Sequence, residues 1–249
     1  MTCLQMETLS QSVQKKISPF FHEILGSSAP QIHSLYLMGS VLTEDYLEKV
    51  SDINSVIVLR RISLEFLDTL AALGGKYGKT GIAVPWVIDP GYLKSSVDVF
   101  PMEFLSLKLV HHTLYGDDLL AGLTIDLKEL KYQCERELLG KLIWLRRIYV
   151  SAMGDKKALA ADIVRHFRGY PPLVWGIVQL LGQAPLRGLK KALEQLATLT
   201  GIDTGVFEEI DAIKKNQRQP SKAEISGLFE KFYRSTEQLA EVVDAVQIS

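Results

Sequence analysis

Hydrophobic residues recur along the chain with two different periods, and the change of period divides the sequence. Up to about residue 122, short apolar runs alternate with glycine, proline and polar turn residues, a pattern that is typical of strands mixed with helices. From Asp126 onward, apolar residues return at steps of three and four, the period of an α-helix. The pattern predicts an α+β protein, with an α/β domain over residues 1–122 and a helical bundle domain over residues 123–249.

The first half is predicted to form a mixed sheet with flanking helices. Its strands are read from short apolar, β-branched and aromatic runs, and its helices from apolar stripes that follow a capping residue. The predicted elements are a helix over Met6–Leu25, a strand over Leu35–Met38, about two helical turns over Val41–Leu47, a strand over Val56–Leu59, a helix from Ser63 through Leu73, a strand over Ala83–Ile88, a helical turn over Tyr92–Val97, a strand over Asp98–Lys108, and a short strand and turn over Leu114–Asp118.

The second half is predicted to be helical throughout. Asp126 and Ser221 each precede a glutamate by three residues, which is the spacing of a capping box at a helix start. Leu173–Leu181 is apolar on nearly all sides, so this segment is expected to lie at the centre of the bundle. The predicted helices are Asp126–Tyr149, Lys157–Phe167, Leu173–Leu181, Leu186–Leu199, Phe207–Lys215 and Ser221–Val243.

Composition and charge exclude several classes of protein. The net charge of −1 gives no overall field that would attract nucleic acid or an acidic membrane. Cys3 and Cys134 are too few for a disulfide framework or a zinc site. The N-terminal segment lacks the basic and apolar regions of a secretory leader, and Leu173–Leu181 is too short to span a membrane. We therefore expect a cytoplasmic protein without a membrane partner.

The segment from Leu35 to Arg60 carries the candidate chemistry. Gly39 allows the backbone to approach a phosphate closely, and Ser40 offers a hydroxyl and an N–H group at a predicted helix start. Asp52 and Asn54 stand two residues apart on a predicted strand, so their side chains share one face. Two oxygen ligands on one face suit a hard cation such as Mg²⁺. A plain turn followed by a helix cap would explain the same residues without a ligand.

These residues resemble the signature of polymerase-beta-like nucleotidyltransferases, in which a Gly-Ser pair, a spacer and an Asp-x-Asp or Asp-x-Glu pair follow one another. Here Gly39-Ser40 is followed by eleven residues and then by Asp52-Ile53-Asn54. The chain departs from the signature at Asn54, which replaces a carboxylate, and in a spacer without the glycine often found there. The resemblance implies that Gly39 and Ser40 hold the phosphates of a nucleoside triphosphate, and that Asp52 and Asn54 bind metal.

The superfamily places a third carboxylate on a later, neighbouring strand of the same sheet. Glu103 is the candidate on this chain, because it stands in the middle of an otherwise apolar predicted strand. The resemblance implies that Glu103 is catalytic together with Asp52, either as a metal ligand or as a base. Asp98 is the competing carboxylate. Alternatively, Glu103 faces solvent or pairs with a core arginine.

The whole architecture is similar to bacterial aminoglycoside (kanamycin-type) nucleotidyltransferases with a C-terminal helical domain. This resemblance implies transfer of a nucleoside monophosphate from an NTP to an acceptor hydroxyl, with Mg²⁺ or Mn²⁺ as cofactor. The acceptor, a small molecule or a protein, and the oligomeric state do not follow from the sequence. The alternative is a catalytically degenerate module that binds nucleotide or a partner protein, and Asn54 favours it because an amide brings no negative charge.

Overall fold

A computed structural model describes residues 4–248, so Cys3 lies outside the described residues. The chain forms two compact units. The first unit comprises residues 4–99 and 106–124 of the described chain, and the second comprises residues 100–105 and 125–248. The predicted boundary between residues 122 and 123 stays a prediction.

A mixed four-stranded sheet forms the centre of the first unit, in the order β3-β2-β1-β4. β1 is antiparallel to both β2 and β4, whereas β2 is parallel to β3. Ser55 and the apolar residues that follow it in β2 are all buried, as expected for an inner strand covered on both faces. The strands are β1 (Ile32–Met38), β2 (Asn54–Leu59), β3 (Trp86–Ile88) and β4 (His111–Gly116).

The first two helices of the first unit pack on one face of this sheet. Ser10 caps the first helix by accepting from the Val13 N–H, and Ser63 caps the second by accepting from the Phe66 N–H. Their apolar sides join the inner residues of β1 and β2 in a single hydrophobic core. These helices are α1 (Gln11–Ser28) and α2 (Leu64–Tyr77), followed by α3 (Pro90–Ser96) and by α4 (Pro101–Leu109), whose residues are divided between the two units.

The predicted strand over Asp98–Lys108 is wrong, because α4 occupies most of this segment. Pro101 is the first residue of α4, where its missing N–H is harmless and its fixed φ suits a helix. In the sequence alone, the same proline also fits an edge strand. A short apolar run fits a buried helix as well as a strand, and Glu103 therefore lies in the first turn of a helix rather than in the sheet.

The predicted helix over Val41–Leu47 is also wrong. A 3₁₀-helix spans Gly39–Leu42, and turns follow it. Thr43 explains the early end, because its hydroxyl donates to the Ser40 carbonyl at 3.2 Å and accepts from the Asp45 N–H at 3.2 Å. Such local bonds between side chain and backbone compete with the helical ladder.

The second unit is a helical bundle. Asp126 caps its first long helix through the N–H groups of Lys128 and Glu129, and the predicted capping box of Ser221 and Glu224 is confirmed. The central burial predicted for Leu173–Leu181 is confirmed in substance, since most residues of α7 are buried. The helices are α5 (Leu127–Ser151), α6 (Lys156–Phe167), α7 (Tyr170–Leu180), α8 (Leu189–Thr200), α9 (Gly205–Lys214) and α10 (Lys222–Ala245).

The α+β class, with a mixed sheet and helices followed by a helical C-terminal region, is thereby confirmed. Within residues 4–248, no helix combines the length and the apolar character that crossing a membrane requires.

Candidate functional site

The Gly-Ser turn lies at the end of β1, directly beside the start of β2. Met38 pairs with Asn54 across the two antiparallel strands, so Gly39 leaves the sheet next to the Asn54 side chain. The backbone of Gly39 has a φ of 77°, in the left-handed region that favours glycine, and its N–H donates to the Val110 carbonyl at 3.3 Å. A Cβ atom on Gly39 would lie 3.8 Å from Asn54 Nδ2. The turn is therefore open and in van der Waals range of the Asn54 amide.

Asp52 and Asn54 flank a buried residue that fixes their direction. Ile53 belongs to the core of the first unit, and it is bridged to Ile82 by hydrogen bonds of 2.8 Å from its N–H to the Gly81 carbonyl and 3.0 Å from the Ala83 N–H to its carbonyl. Because side chains alternate along an extended chain, Asp52 and Asn54 point away from this core. Asp52 is exposed and Asn54 is half-buried.

Polar groups of this turn and strand start are free to bind a ligand. Within residues 4–248, no hydrogen-bond or ion-pair partner is found for the Ser40 hydroxyl, the Asp52 carboxylate or the Asn54 amide. Buried polar side chains are nearly always hydrogen-bonded within the protein, whereas side chains at the surface can bond to water or to a ligand. The hydroxyl, the carboxylate and the amide therefore lie at adjacent strand ends, where they can contact a ligand.

The helix that starts at the Gly-Ser turn differs from the predicted one, whereas the predicted anion site stays a prediction. Ser40 is the second residue of a four-residue 3₁₀-helix, not the first residue of a two-turn α-helix. A helix of this length adds little dipole to the turn. Any binding of phosphate here would thus depend on the backbone of Gly39 and Ser40 and on the Ser40 hydroxyl.

Glu103 lies in the second unit and is held by a residue that the sequence analysis missed. Gln133 of α5 donates from Nε2 to Glu103 Oε2 at 2.8 Å, and its Oε1 accepts from the Met102 N–H at 2.8 Å. Gln133 is only 4% exposed. Its signal in the sequence was an amide on the apolar side of a predicted helix, next to Cys134.

The predicted alternatives for Glu103 can be compared with this arrangement. Its partner is the Gln133 amide, neither solvent alone nor a core arginine. Its predicted place in the sheet is wrong, whereas its part in a metal site stays a prediction. Asp98 is exposed in a turn between α3 and α4. In the described part of the chain, no three histidine, cysteine, aspartate or glutamate side chains are grouped so that they could hold a metal ion.

A second polar cluster occurs on β4. His111 Nε2 lies 3.0 Å from Asp118 Oδ1, and its Nδ1 lies 2.7 Å from the Leu107 carbonyl oxygen. Partial burial acts to raise the pKa of Asp118, but hydrogen bonds from the Ala121 N–H and from His111 outweigh it, so the pKa lies below its usual value. The cluster caps the turn after β4, since Asp118 also accepts from the Leu120 N–H. Its bonds are those of a structural turn.

Comparison with known proteins yields a structural neighbour. No protein-family model matches the chain, and no curated protein matches it. The fold is similar to the solved structure of the spectinomycin adenyltransferase AAD(9) from Enterococcus faecialis with ATP and spectinomycin, at 11% sequence identity and a TM-score of 0.49. The match covers 90% of this chain and 97% of that chain.

Proposed function

We propose that this protein binds a nucleoside triphosphate with Mg²⁺ or Mn²⁺ and transfers its nucleoside monophosphate to an acceptor hydroxyl. The observation that carries the proposal is the set of unpartnered polar groups of Ser40, Asp52 and Asn54 beside the left-handed turn at Gly39. The resemblance of Gly39-Ser40 and Asp52-Ile53-Asn54 to the nucleotidyltransferase signature supports the same reading. The acceptor is a small molecule or a protein.

The phosphate side of the proposed site consists of Gly39 and Ser40. Glycine without a Cβ lets a phosphate oxygen approach the backbone closely, and the free Ser40 hydroxyl can donate to that oxygen. A larger residue at position 39 would carry its Cβ toward the Asn54 amide. The turn thus supplies only neutral hydrogen-bond donors. A cation beside the turn is therefore needed to balance the negative charge of the triphosphate.

The metal side of the proposed site fits one ion that is shared with the nucleotide. Mg²⁺ is commonly bound through one or two carboxylates together with substrate phosphates. Asp52 supplies the carboxylate, and Asn54 can supply its amide oxygen. The bound ion would neutralise charge on the phosphates and on the departing pyrophosphate. Asn54 brings no charge, so the protein alone should bind the ion weakly, and its affinity for the ion should rise when the nucleotide binds.

The proposed reaction is an in-line displacement at the α-phosphorus. The acceptor oxygen forms a bond to phosphorus, the bond from the α-phosphorus to the bridging oxygen breaks, and pyrophosphate leaves with the electron pair. The proton of the acceptor hydroxyl passes to a carboxylate, and we keep Glu103 for this role, or for that of a further metal ligand, on the strength of the resemblance. Gln133 would then be a positioning residue, because its amide fixes one oxygen of Glu103.

A thermal-shift screen with ATP, GTP, CTP and UTP, each with Mg²⁺, Mn²⁺ or EDTA, tests the binding step. A nucleotide that binds the native state should stabilise it by about 2.7 kcal/mol at a ~hundredfold excess over its Kd. Ser40→Ala should reduce this shift, because a phosphate contact is lost. A screen in which no nucleotide stabilises the protein with either metal would refute the proposal.

The degenerate module is the second candidate, and the neutral side chain of Asn54 is the observation that favours it. Incubation with α-phosphate-labelled triphosphate and candidate acceptors separates the two functions. An enzyme releases pyrophosphate and leaves label on the acceptor. A module that only binds nucleotide shows the metal-dependent thermal shift without either product.

A further inference from the structure

A cavity of about 430 Å³ lies among α5, α6 and the start of α7, wholly within the second unit. We propose that this cavity, the α5–α7 pocket, binds a small organic anion through a phosphate or carboxylate group. The side chains that carry the argument are Arg136, Glu137, Lys141, Trp144, His166 and Tyr170. The proposal does not depend on nucleotidyl transfer.

Lys141 is the centre of the argument because its ammonium group is largely buried and poorly partnered. Its side chain is 14% exposed, and the Nζ atom lies 4.8 Å from the centre of the Tyr170 ring. Glu137 Oε2 is 4.0 Å from Nζ, beyond hydrogen-bond distance. Within residues 4–248, Lys141 has no hydrogen-bond acceptor. An ammonium carries three N–H donors, so an anion in the pocket would meet donors that the protein leaves unused.

The amino group of Lys141 lies against a glycine beside the pocket. A Cβ atom on Gly169 would lie 2.8 Å from Nζ, so the absence of a side chain at this position makes room for the ammonium. Burial lowers the pKa of Lys141, and the charge of Glu137 opposes that effect. A bound anion would favour the protonated amine in the same way as Glu137 does. Anion binding and protonation of Lys141 should therefore support each other.

The other polar groups of the pocket favour an anion over a cation. Arg136 has no ion-pair partner within the described residues, and its guanidinium offers a planar fork that matches phosphate and carboxylate oxygens. Burial lowers the pKa of His166, so its ring is a neutral donor near neutral pH. Two cationic side chains thus face one carboxylate, that of Glu137. A polyamine or an aminoglycoside would meet net repulsion here.

The size and the walls of the pocket indicate an anion with an organic part. Pockets for small organic ligands measure roughly 300–1,000 Å³, and this one falls in that range. Trp144 is about half exposed and packs against the His166 ring at a centroid distance of 4.7 Å. This indole and the buried Leu145 give the pocket an apolar side. The polar groups would hold the acidic group of the ligand, and the apolar side would contact its carbon skeleton.

Isothermal titration calorimetry of the full chain at constant ionic strength tests the proposal, with inorganic phosphate and citrate as probes and chloride as the reference anion. The wild type should bind phosphate, citrate or both. The anion that binds more tightly shows whether the pocket prefers a phosphate or a carboxylate group. Lys141→Met, which keeps the length of the side chain, should weaken this binding by about tenfold or more. Arg136→Gln should weaken it as well, and since Arg136 is exposed this variant should fold normally.

Lys128→Met is the matched control. Lys128 is an exposed lysine of the same helix, outside the pocket, and its loss changes the net charge by the same amount. Its affinity for the probe should stay within about twofold of the wild type. Three results would overturn the proposal: no binding of either anion by the wild type, equal weakening by Lys128→Met and Lys141→Met, or unchanged binding in both Lys141→Met and Arg136→Gln.

Discussion

Gly39→Ala tests whether the left-handed turn at position 39 is needed for nucleotide binding more than for the stability of the fold. The left-handed φ of 77° costs an L-residue about 1–2 kcal/mol. The new Cβ would lie 3.8 Å from Asn54 Nδ2, an ordinary contact, so no steric term is added. Alanine also restricts the unfolded chain, which returns about 0.4–1 kcal/mol. The variant should therefore lose about 1 kcal/mol of unfolding free energy and remain folded.

The functional effect of the same substitution should be much larger than its effect on stability. The methyl group would stand where the proposed phosphate approaches the backbone, beside the Asn54 amide. We expect the stabilisation by a triphosphate with Mg²⁺ to disappear in Gly39→Ala, measured by thermal shift and by calorimetric titration. The loss should appear at temperatures far below the unfolding midpoint, where both proteins are native.

Gly201→Ala is the control for strain without a ligand. Gly201 has a φ of 73° at the end of α8, in the second unit, and no atom lies within 4 Å of its ideal Cβ position. It should show a similar loss of unfolding free energy, measured by urea denaturation, with nucleotide binding unchanged. If Gly39→Ala binds nucleotide as tightly as Gly201→Ala does, the turn is not the phosphate site and the reasoning is wrong.

Further substitutions test the fold and the proposed site. Gly116→Ala should destabilise the first unit by about 3 kcal/mol or more, because a Cβ with a φ of 79° would lie 2.9 Å from Ser34 Cα; near wild-type urea denaturation would contradict this. The pKa of Asp118 is lowered in the folded state, so its ionised carboxylate stabilises the fold above the unfolded pKa of about 3.9, and this stabilisation is lost as pH falls. The denaturation midpoint of Asp118→Asn should accordingly fall less than that of the wild type between about pH 5 and pH 2, and parallel curves would exclude this origin. Asn54→Asp should tighten Mg²⁺-dependent nucleotide binding and lower stability slightly without metal, since it places a second carboxylate beside Asp52; weaker binding with Mg²⁺ would argue against a metal there. Gln133→Leu should release the Glu103 carboxylate from its hydrogen bond. On the proposed mechanism, the variant should have a lower kcat and a shifted pH profile of transfer, with KM for the nucleotide unchanged. An unchanged pH profile would show that Gln133 does not position Glu103 for the reaction.

The sequence predicted the long helices well because their signals are redundant. In α5 and α10, a capping residue, an apolar stripe and good helix formers agree over many residues. The strands β1 and β2 are also predicted by the sequence, since each contains an apolar run, and the structure extends both runs by a few residues at their starts. These parts required no knowledge of distant contacts.

The errors fall where a short segment depends on its surroundings. The run from Met102 to Leu107 is apolar enough for a strand. The one feature that favours a helix is Pro101, because proline is common at the first position of a helix. The spacer after Ser40 has helix-forming residues, but the Thr43 hydroxyl ends the helix after one short turn. Gln133 was missed because its partners lie about thirty residues earlier in the chain.

The most direct test of the proposed function is a calorimetric titration of the best nucleotide from the screen into wild type, Asp52→Asn and Asp98→Asn, each with Mg²⁺ and with EDTA. Asp98→Asn is the matched control, since Asp98 is an exposed carboxylate of the same unit and was the competing candidate. We predict that the wild type and Asp98→Asn bind the nucleotide tightly with Mg²⁺ and weakly with EDTA. Asp52→Asn should lose this metal dependence, whereas metal-dependent binding that survives in Asp52→Asn would contradict the placement of the site on Asp52.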